Sequence, residues 1–199
     1  MGAGPAGHAV AGQLARSKAF KAENITLFDS RTQHHNQTAY TIVGGGLKGN
    51  VNEMRKKENT YVVRNHTDIL YRGINFRNET VTNISMASNE VETNKERYKY
   101  DYLVICPGLS LRYDLIEGAQ EALADPNSGV CSTYSLDYAY KTSQLRENFK
   151  GGKAIFILPQ KPVKCAGAGQ MIMYLCEESW RKSGVRKDTQ IMWYTQEPN

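Results

Sequence analysis

No stretch of this 199-residue chain stays apolar for the roughly 20 residues that a membrane-spanning helix needs. The opening residues lack the continuous apolar run of a secretory signal. Cysteine is scarce: Cys106, Cys131, Cys165 and Cys176 stand far apart with no CxxC pair, which argues against a zinc site. A reducing or matrix-like compartment is the default for such a chain. The 25 basic residues are scattered, so the net charge of +5 makes no basic stripe, and no aromatic platform accompanies it. Nucleic acid is therefore excluded as a partner, while a phosphate-bearing cofactor or small anion suits the charge. Five Asn-x-Ser/Thr sequons, beginning at Asn24, Asn36, Asn65, Asn78 and Asn83, read as chance in an Asn- and Thr-rich chain.

What is present begins at once. Gly2-Ala3-Gly4-Pro5-Ala6-Gly7 has the Gly-x-Gly-x-x-Gly spacing of a dinucleotide fingerprint. Ala6 to Phe20 follows helical periodicity, with Val10 and Leu14 on one face. The strand-like Asn24–Phe28 then ends at Asp29, at the spacing expected of a ribose-binding carboxylate. The glycines let the backbone approach a pyrophosphate, whose charge a helix N-terminus favours. Such a fingerprint follows a strand in the parent fold, so the first strand is expected to be missing and the chain to be a fragment.

Further on, Thr38 to Val43 is β-rich and Lys48 to Asn59 reads as a solvated helix or loop. Arg72–Ser85 and Glu90–Lys95 suggest short antiparallel strands, a meander inserted in the nucleotide domain. Tyr100 to Gly108 predicts a strand entering a tight turn, and Asp137 to Asn148 an amphipathic helix. Ala154–Leu158, a helix over Gln170–Lys182 and Gln190–Thr195 make a βαβ unit whose first strand reads as buried. The turn of that unit is the most informative stretch of the chain. It holds Pro159, Lys161, Pro162, Lys164 and Cys165 where a second nucleotide cradle would place glycines. Prolines remove the N–H donors a pyrophosphate needs, while a helix N-terminus and neighbouring lysines favour a thiolate. Cys131, Cys176 and Cys106 read chiefly as packing residues, and His34-His35 as solvated loop histidines, with no metal site assigned.

Four motifs, in order, resemble the N-terminal half of the sulfide:quinone oxidoreductases, particularly the animal mitochondrial kind. They are Gly2–Gly7 with Asp29, Gln37–Lys48, Tyr102–Gly108, and Pro162–Ala168 followed by Met173-Tyr174-Leu175. The resemblance implies an α/β flavoprotein with two Rossmann-like dinucleotide-binding domains, truncated at both ends. An FAD domain would span 1–115, with the meander inserted, and an incomplete second domain 116–199. FAD would be held by Gly2, Gly4, Pro5, Ala6, Gly7, Asp29, Val81 and Gly108. Cys165 would be the first redox cysteine, with Lys164 and Cys131 as possible auxiliaries and the second cysteine outside this fragment. Sulfide would be oxidised to a persulfide whose sulfur passes to a small thiol or sulfite, and electrons would pass through FAD to ubiquinone. The family further implies the matrix side of the mitochondrial inner membrane, docked through the absent C-terminal half. Two departures stand out: Gly169-Gln170-Met171 lacks a cation common in relatives, and Cys106-Pro107 occupies the FAD-domain turn. Two rival readings remain: an NAD(P)H-dependent flavin reductase of the same architecture, and a non-catalytic flavin-binding or interaction fragment.

Overall fold

A computed structural model describes residues 1–48, 52, 61–159 and 162–195. The expectations for most of Lys48–Asn59 and for Lys161 lie outside them. The chain forms two compact units: Met1–Asn36 with Val63–Leu109, and Gln37–Val62 with Ser110–Asn199. This division differs from the one expected at residue 115, above all because Gln37–Val62 belongs with the later part of the chain.

In the first unit, Pro5 opens the helix Pro5–Arg16 with Gly4 as its N-cap. Proline suits this place, since its fixed φ is helical and its missing N–H would have no helical partner. The helix buries Gly7, Ala11 and Gly12. These small residues let it lie against Leu27 and Ile74, with Ala15, Ile25, Leu70 and Phe76 around them. Thr26–Asp29 pairs in parallel with Asn75–Asn78, from Thr26 opposite Asn75 to Asp29 opposite Asn78. The expected meander is therefore shorter than Arg72–Ser85 implied, because its first part belongs to this parallel pair. The antiparallel sheet itself comprises Val81–Ser85, Glu90–Thr93 and Arg97–Lys99. Buried Glu79 leads into it, its carboxylate accepting from the Thr93 hydroxyl at 2.7 Å and the Tyr98 hydroxyl at 3.0 Å.

The strand expected over Tyr100–Gly108 is not formed as a ladder. Met1 donates its amine to the Val104 carbonyl at 2.5 Å and accepts from the Cys106 amide at 2.8 Å. Gly2 in turn donates to the Phe28 carbonyl at 2.8 Å. Residues 102–106 join no strand among the described residues, with Tyr102 and Ile105 exposed, and Leu14, Leu27, Tyr98 and Val104 help line a cavity of about 340 Å³.

In the second unit, Thr38–Gly44 is a helix where its β-branched residues predicted a strand. Tertiary packing overrides the propensity: Ala39, Tyr40, Thr41, Val43 and Gly44 are all buried. The glycines after it permit close approach. A Cβ on Gly45 would stand 2.4 Å from a Leu175 methyl, and Gly46 has a φ of +74°. The helix Leu136–Asn148 forms where expected, though it buries Ala139 to Ser143 in succession and not one apolar stripe, and it is capped by the Ser135 hydroxyl, which accepts from the Tyr138 amide. Gly152–Leu158 and Thr189–Thr195 pair in parallel around the helix Gly167–Lys182, giving the expected βαβ unit. One correction applies. The first strand alternates instead of being buried throughout: Ala154 and Phe156 pack on Ile172, Cys176 and Trp180, while Ile155 and Ile157 are 54% and 64% exposed. The helix covers only one face of the pair.

Lys141 is buried and donates through Nζ to the carbonyls of Ala122, Leu123 and Asp125 and to the Ser128 hydroxyl. It thereby caps the helix Ala119–Ala124, whose last carbonyls have no helical donor. Lys141→Met should cost about 2–3 kcal/mol, the worth of charge-assisted bonds plus stranded carbonyls. Urea unfolding of the two proteins would show it as a lower midpoint at an unchanged slope.

Candidate functional site

Three glycines of the fingerprint answer to different constraints. Gly2 has a φ of +87°, and a Cβ there would lie 2.0 Å from the Cys106 carbonyl oxygen. A Cβ on Gly7 would lie 1.9 Å from the Gly2 carbonyl oxygen, so the helix start and the turn are in direct contact. Gly4 differs: a Cβ there meets nothing within 4 Å, leaving open space in front of the helix N-terminus. Asp29 closes the arrangement. Its Oδ2 accepts from the Ala3 amide at 2.8 Å and its Oδ1 from the Arg31 amide at 2.9 Å. Arg31 adds its guanidinium at 3.8 Å.

The structure thus brings Gly2, Gly4, Pro5, Ala6, Gly7 and Asp29 to one place, as the spacing predicted. Gly108, with a φ of +73°, follows the Cys106-Pro107 backbone that presses on Gly2. Val81 stands in the antiparallel sheet opposite Thr93, just past the Asn78 that pairs with Asp29. An adenine dinucleotide fits these features: an open position at Gly4, amides at a helix start, and a carboxylate at the end of the next strand.

One cluster escaped sequence reasoning. His8 Nε2 lies 2.9 Å from His66 Nδ1, and a ring nitrogen of His34 completes a trio within 4.8 Å of one another. His34 and His35 are half-buried, which corrects their reading as solvated loop residues. The antiparallel pairing of Gln33–His35 with Val63–Asn65 carries His66 to this place, and no local spacing signals it. Burial, followed by repulsion from His34 and His66, pushes the His8 imidazole down to about 4, and burial also lowers His66.

In the second unit, Cys165 is exposed, two residues ahead of the helix Gly167–Lys182, which starts earlier than the expected Gln170. Its carbonyl accepts from the Tyr134 hydroxyl at 2.8 Å and the Ala168 amide at 3.3 Å. Lys164 donates to the Gln37 side-chain carbonyl at 3.2 Å. The other thiols differ in kind. Cys131 is half-buried, and burial raises it above the usual thiol range against a weaker opposing pull from Thr142. Buried Cys176 is pushed up to about 12, in keeping with its core position. No two cysteines are joined by a disulfide.

The exposure of Cys165, against the burial that raises Cys176, sets an order of reactivity. With iodoacetamide at neutral pH, Cys165 should be alkylated first and Cys176 only after unfolding, as peptide mass mapping over time would record.

Comparison with known proteins agrees with this geometry. Residues 1–157 match the pyridine nucleotide-disulphide oxidoreductase family. The chain is 33% identical over 196 residues to the mitochondrial sulfide:quinone oxidoreductase of Mus musculus, covering 98% of this chain and 41% of that protein. It is 33% identical over 193 residues to the mitochondrial sulfide:quinone oxidoreductase of Dictyostelium discoideum, covering 96% of this chain and 40% of that protein. The crystal structure of the sulfide:quinone oxidoreductase from Aquifex aeolicus superposes with a TM-score of 0.73 at 24% identity. That match covers 98% of this chain and 42% of the other, and it bears out the expected α/β flavoprotein fold. The chain therefore spans about two fifths of the length of these relatives. With the match running through both the glycine fingerprint and most of the first strand of the βαβ unit, this chain belongs to the pyridine nucleotide-disulphide oxidoreductase family.

Proposed function

We propose that this chain is the part of a mitochondrial sulfide:quinone oxidoreductase that holds FAD and presents the first redox cysteine. The observation that carries the reading is Cys165, exposed at a strand-to-helix turn that also holds Pro159 and Pro162. The likeness to relatives named for this activity supports it.

The roles follow from the residues. The open space at Gly4 and the amides at the start of the helix Pro5–Arg16 suit a pyrophosphate, and Asp29 retains lone pairs for a ribose hydroxyl. Pro5, Ala6, Gly7, Val81 and Gly108 shape the rest of that site. FAD, when bound, would supply a two-electron acceptor between sulfide and quinone. Cys165 works as a sulfur carrier. Hydrosulfide attacks a disulfide between Cys165 and a second cysteine. The new S–S bond makes a persulfide on one sulfur, and the broken bond leaves its electron pair on the other as a thiolate. The persulfide sulfur then passes to a small thiol or sulfite. Cys131 and Cys176 suit the second position poorly, since burial raises both thiols above their usual range and Cys176 lies in the core. That cysteine lies in the remaining length of the protein, as do the surfaces that meet the membrane on the matrix side and the quinone.

Two substitutions separate the halves of this reading, made in the protein completed to the length of its relatives. A Cβ at Gly4 has nothing within 4 Å, so Gly4→Val should leave the protein folded, as circular dichroism would verify, while lowering FAD affinity on the order of 100-fold or more. Flavin fluorescence titration measures it, and full retention of FAD would sink the cradle assignment. Cys165→Ser should keep FAD and lose at least about 100-fold in sulfide-driven bleaching of the flavin, because a hydroxyl forms no disulfide or persulfide.

The proline-interrupted turn also makes a negative prediction. Neither NADH nor NADPH should bleach the flavin under anaerobic conditions at more than a few per cent of the rate with sulfide. Rapid bleaching by either would favour a flavin reductase.

A further inference from the structure

We propose that His8, His34 and His66 form a binding site for one divalent transition-metal ion of the zinc, cobalt or copper class, beside the nucleotide fingerprint. The three imidazoles come from separate parts of the first unit: the helix Pro5–Arg16, the strand Gln33–His35 and the turn His66–Ile69. One ring nitrogen of each lies within 4.8 Å of the other two. All-imidazole donor sets select these metals over magnesium or calcium, which take oxygen.

The geometry of the pair at the centre is informative. His8 and His66 have ring centroids 5.2 Å apart and planes inclined by 14°, yet their facing nitrogens are only 2.9 Å apart. Those values describe two rings meeting edge to edge, the N–H of one directed at the lone pair of the other. Metal–nitrogen bonds of about 2.0–2.1 Å hold the nitrogens of a tetrahedral site roughly 3.3 Å apart. Opening the pair by a few tenths of an ångström, and moving its proton to the far nitrogen of one ring, therefore turns a hydrogen bond into two ligands. His34 offers a ring nitrogen within 4.8 Å as the third. Its Nδ1 faces the Ala3 carbonyl at 3.3 Å, a contact that fixes the proton there and leaves Nε2 bare.

His66 is 1% exposed, so its ring is held in the interior of the unit at the centre of the cluster. Charge supports the assignment. The Asp29 carboxylate lies near enough to act on both His8 and His66, and would offset part of the charge of a cation held there. No thiol belongs to the trio, and three protein ligands leave a fourth position for water. The assignment rests on these residues alone and stands or falls separately from the proposed sulfide chemistry.

The test uses the full 199-residue chain after chelator treatment, titrated with zinc chloride by calorimetry and with cobalt(II) by absorption. The expected result is one equivalent bound at a Kd of about 10 µM or tighter. Cobalt should give the intense visible bands of tetrahedral coordination without a thiolate charge-transfer band. His8→Gln and His34→Gln should each weaken zinc binding by about 100-fold, while His35→Gln and Cys165→Ser leave it unchanged. Circular dichroism of the two half-buried variants confirms their fold, so the result does not depend on substituting the core residue His66. Absence of binding below about 100 µM overturns the proposal and leaves a proton-sharing pair. Binding that survives His8→Gln and His34→Gln but fails in Cys165→Ser overturns it equally, by assigning the ion to the thiol.

Discussion

Asp29 is the residue on which the first unit turns. Its carboxylate receives the amides of Ala3 and Arg31, fixing the glycine turn against the end of its strand. Its carbonyl receives the Glu79 amide and the Asn78 side chain, fixing the neighbouring parallel strand at the same height. A single residue thus ties the turn, the strand and the approach to the antiparallel sheet. The cost of losing it would spread through all three, because each contact positions a backbone, and a backbone cannot repack as a side chain can.

The second unit is built on the opposite device, the absence of side chains. Gly44 faces Thr133 and Thr142, Gly45 faces Leu175, and Gly46 yields space to the Arg146 guanidinium. Arg146 then fills that space productively, donating to the Gly44 carbonyl at 3.2 Å and the Ser179 hydroxyl at 2.6 Å. Its own carbonyl receives the Trp180 indole at 3.1 Å. Three helices are held in this way around one cation, and the βαβ unit that carries the cysteine turn is set on them.

The fingerprint and the βαβ unit were legible in the sequence because both are local. Glycine spacing, a following strand and a terminal acid all fall within one supersecondary element, and so do an apolar run, a turn and a helix. What was misread depended on distant partners. Thr38–Val43 carries β-branched residues, but burial against two helices far along the chain makes it helical. Asn75–Asn78 reads as part of a meander because nothing local reveals that it pairs with Thr26–Asp29. Tyr100–Gly108 has the composition of a strand, and only its ladder is absent, since a strand is a property of pairs. The histidine trio is the extreme case: its members are ordinary in sequence and significant only where two strands cross-link them.

The hydrogen bond from the Tyr134 hydroxyl to the Cys165 carbonyl has a further consequence. It grips the main chain of the cysteine and leaves the side chain outward. On the proposed function, a sulfur atom would be loaded onto this thiol and taken off again without the loop having to be rebuilt at each cycle. The tyrosine acts like a clamp on the base of a crane, where the arm stays put and only the hook changes its burden.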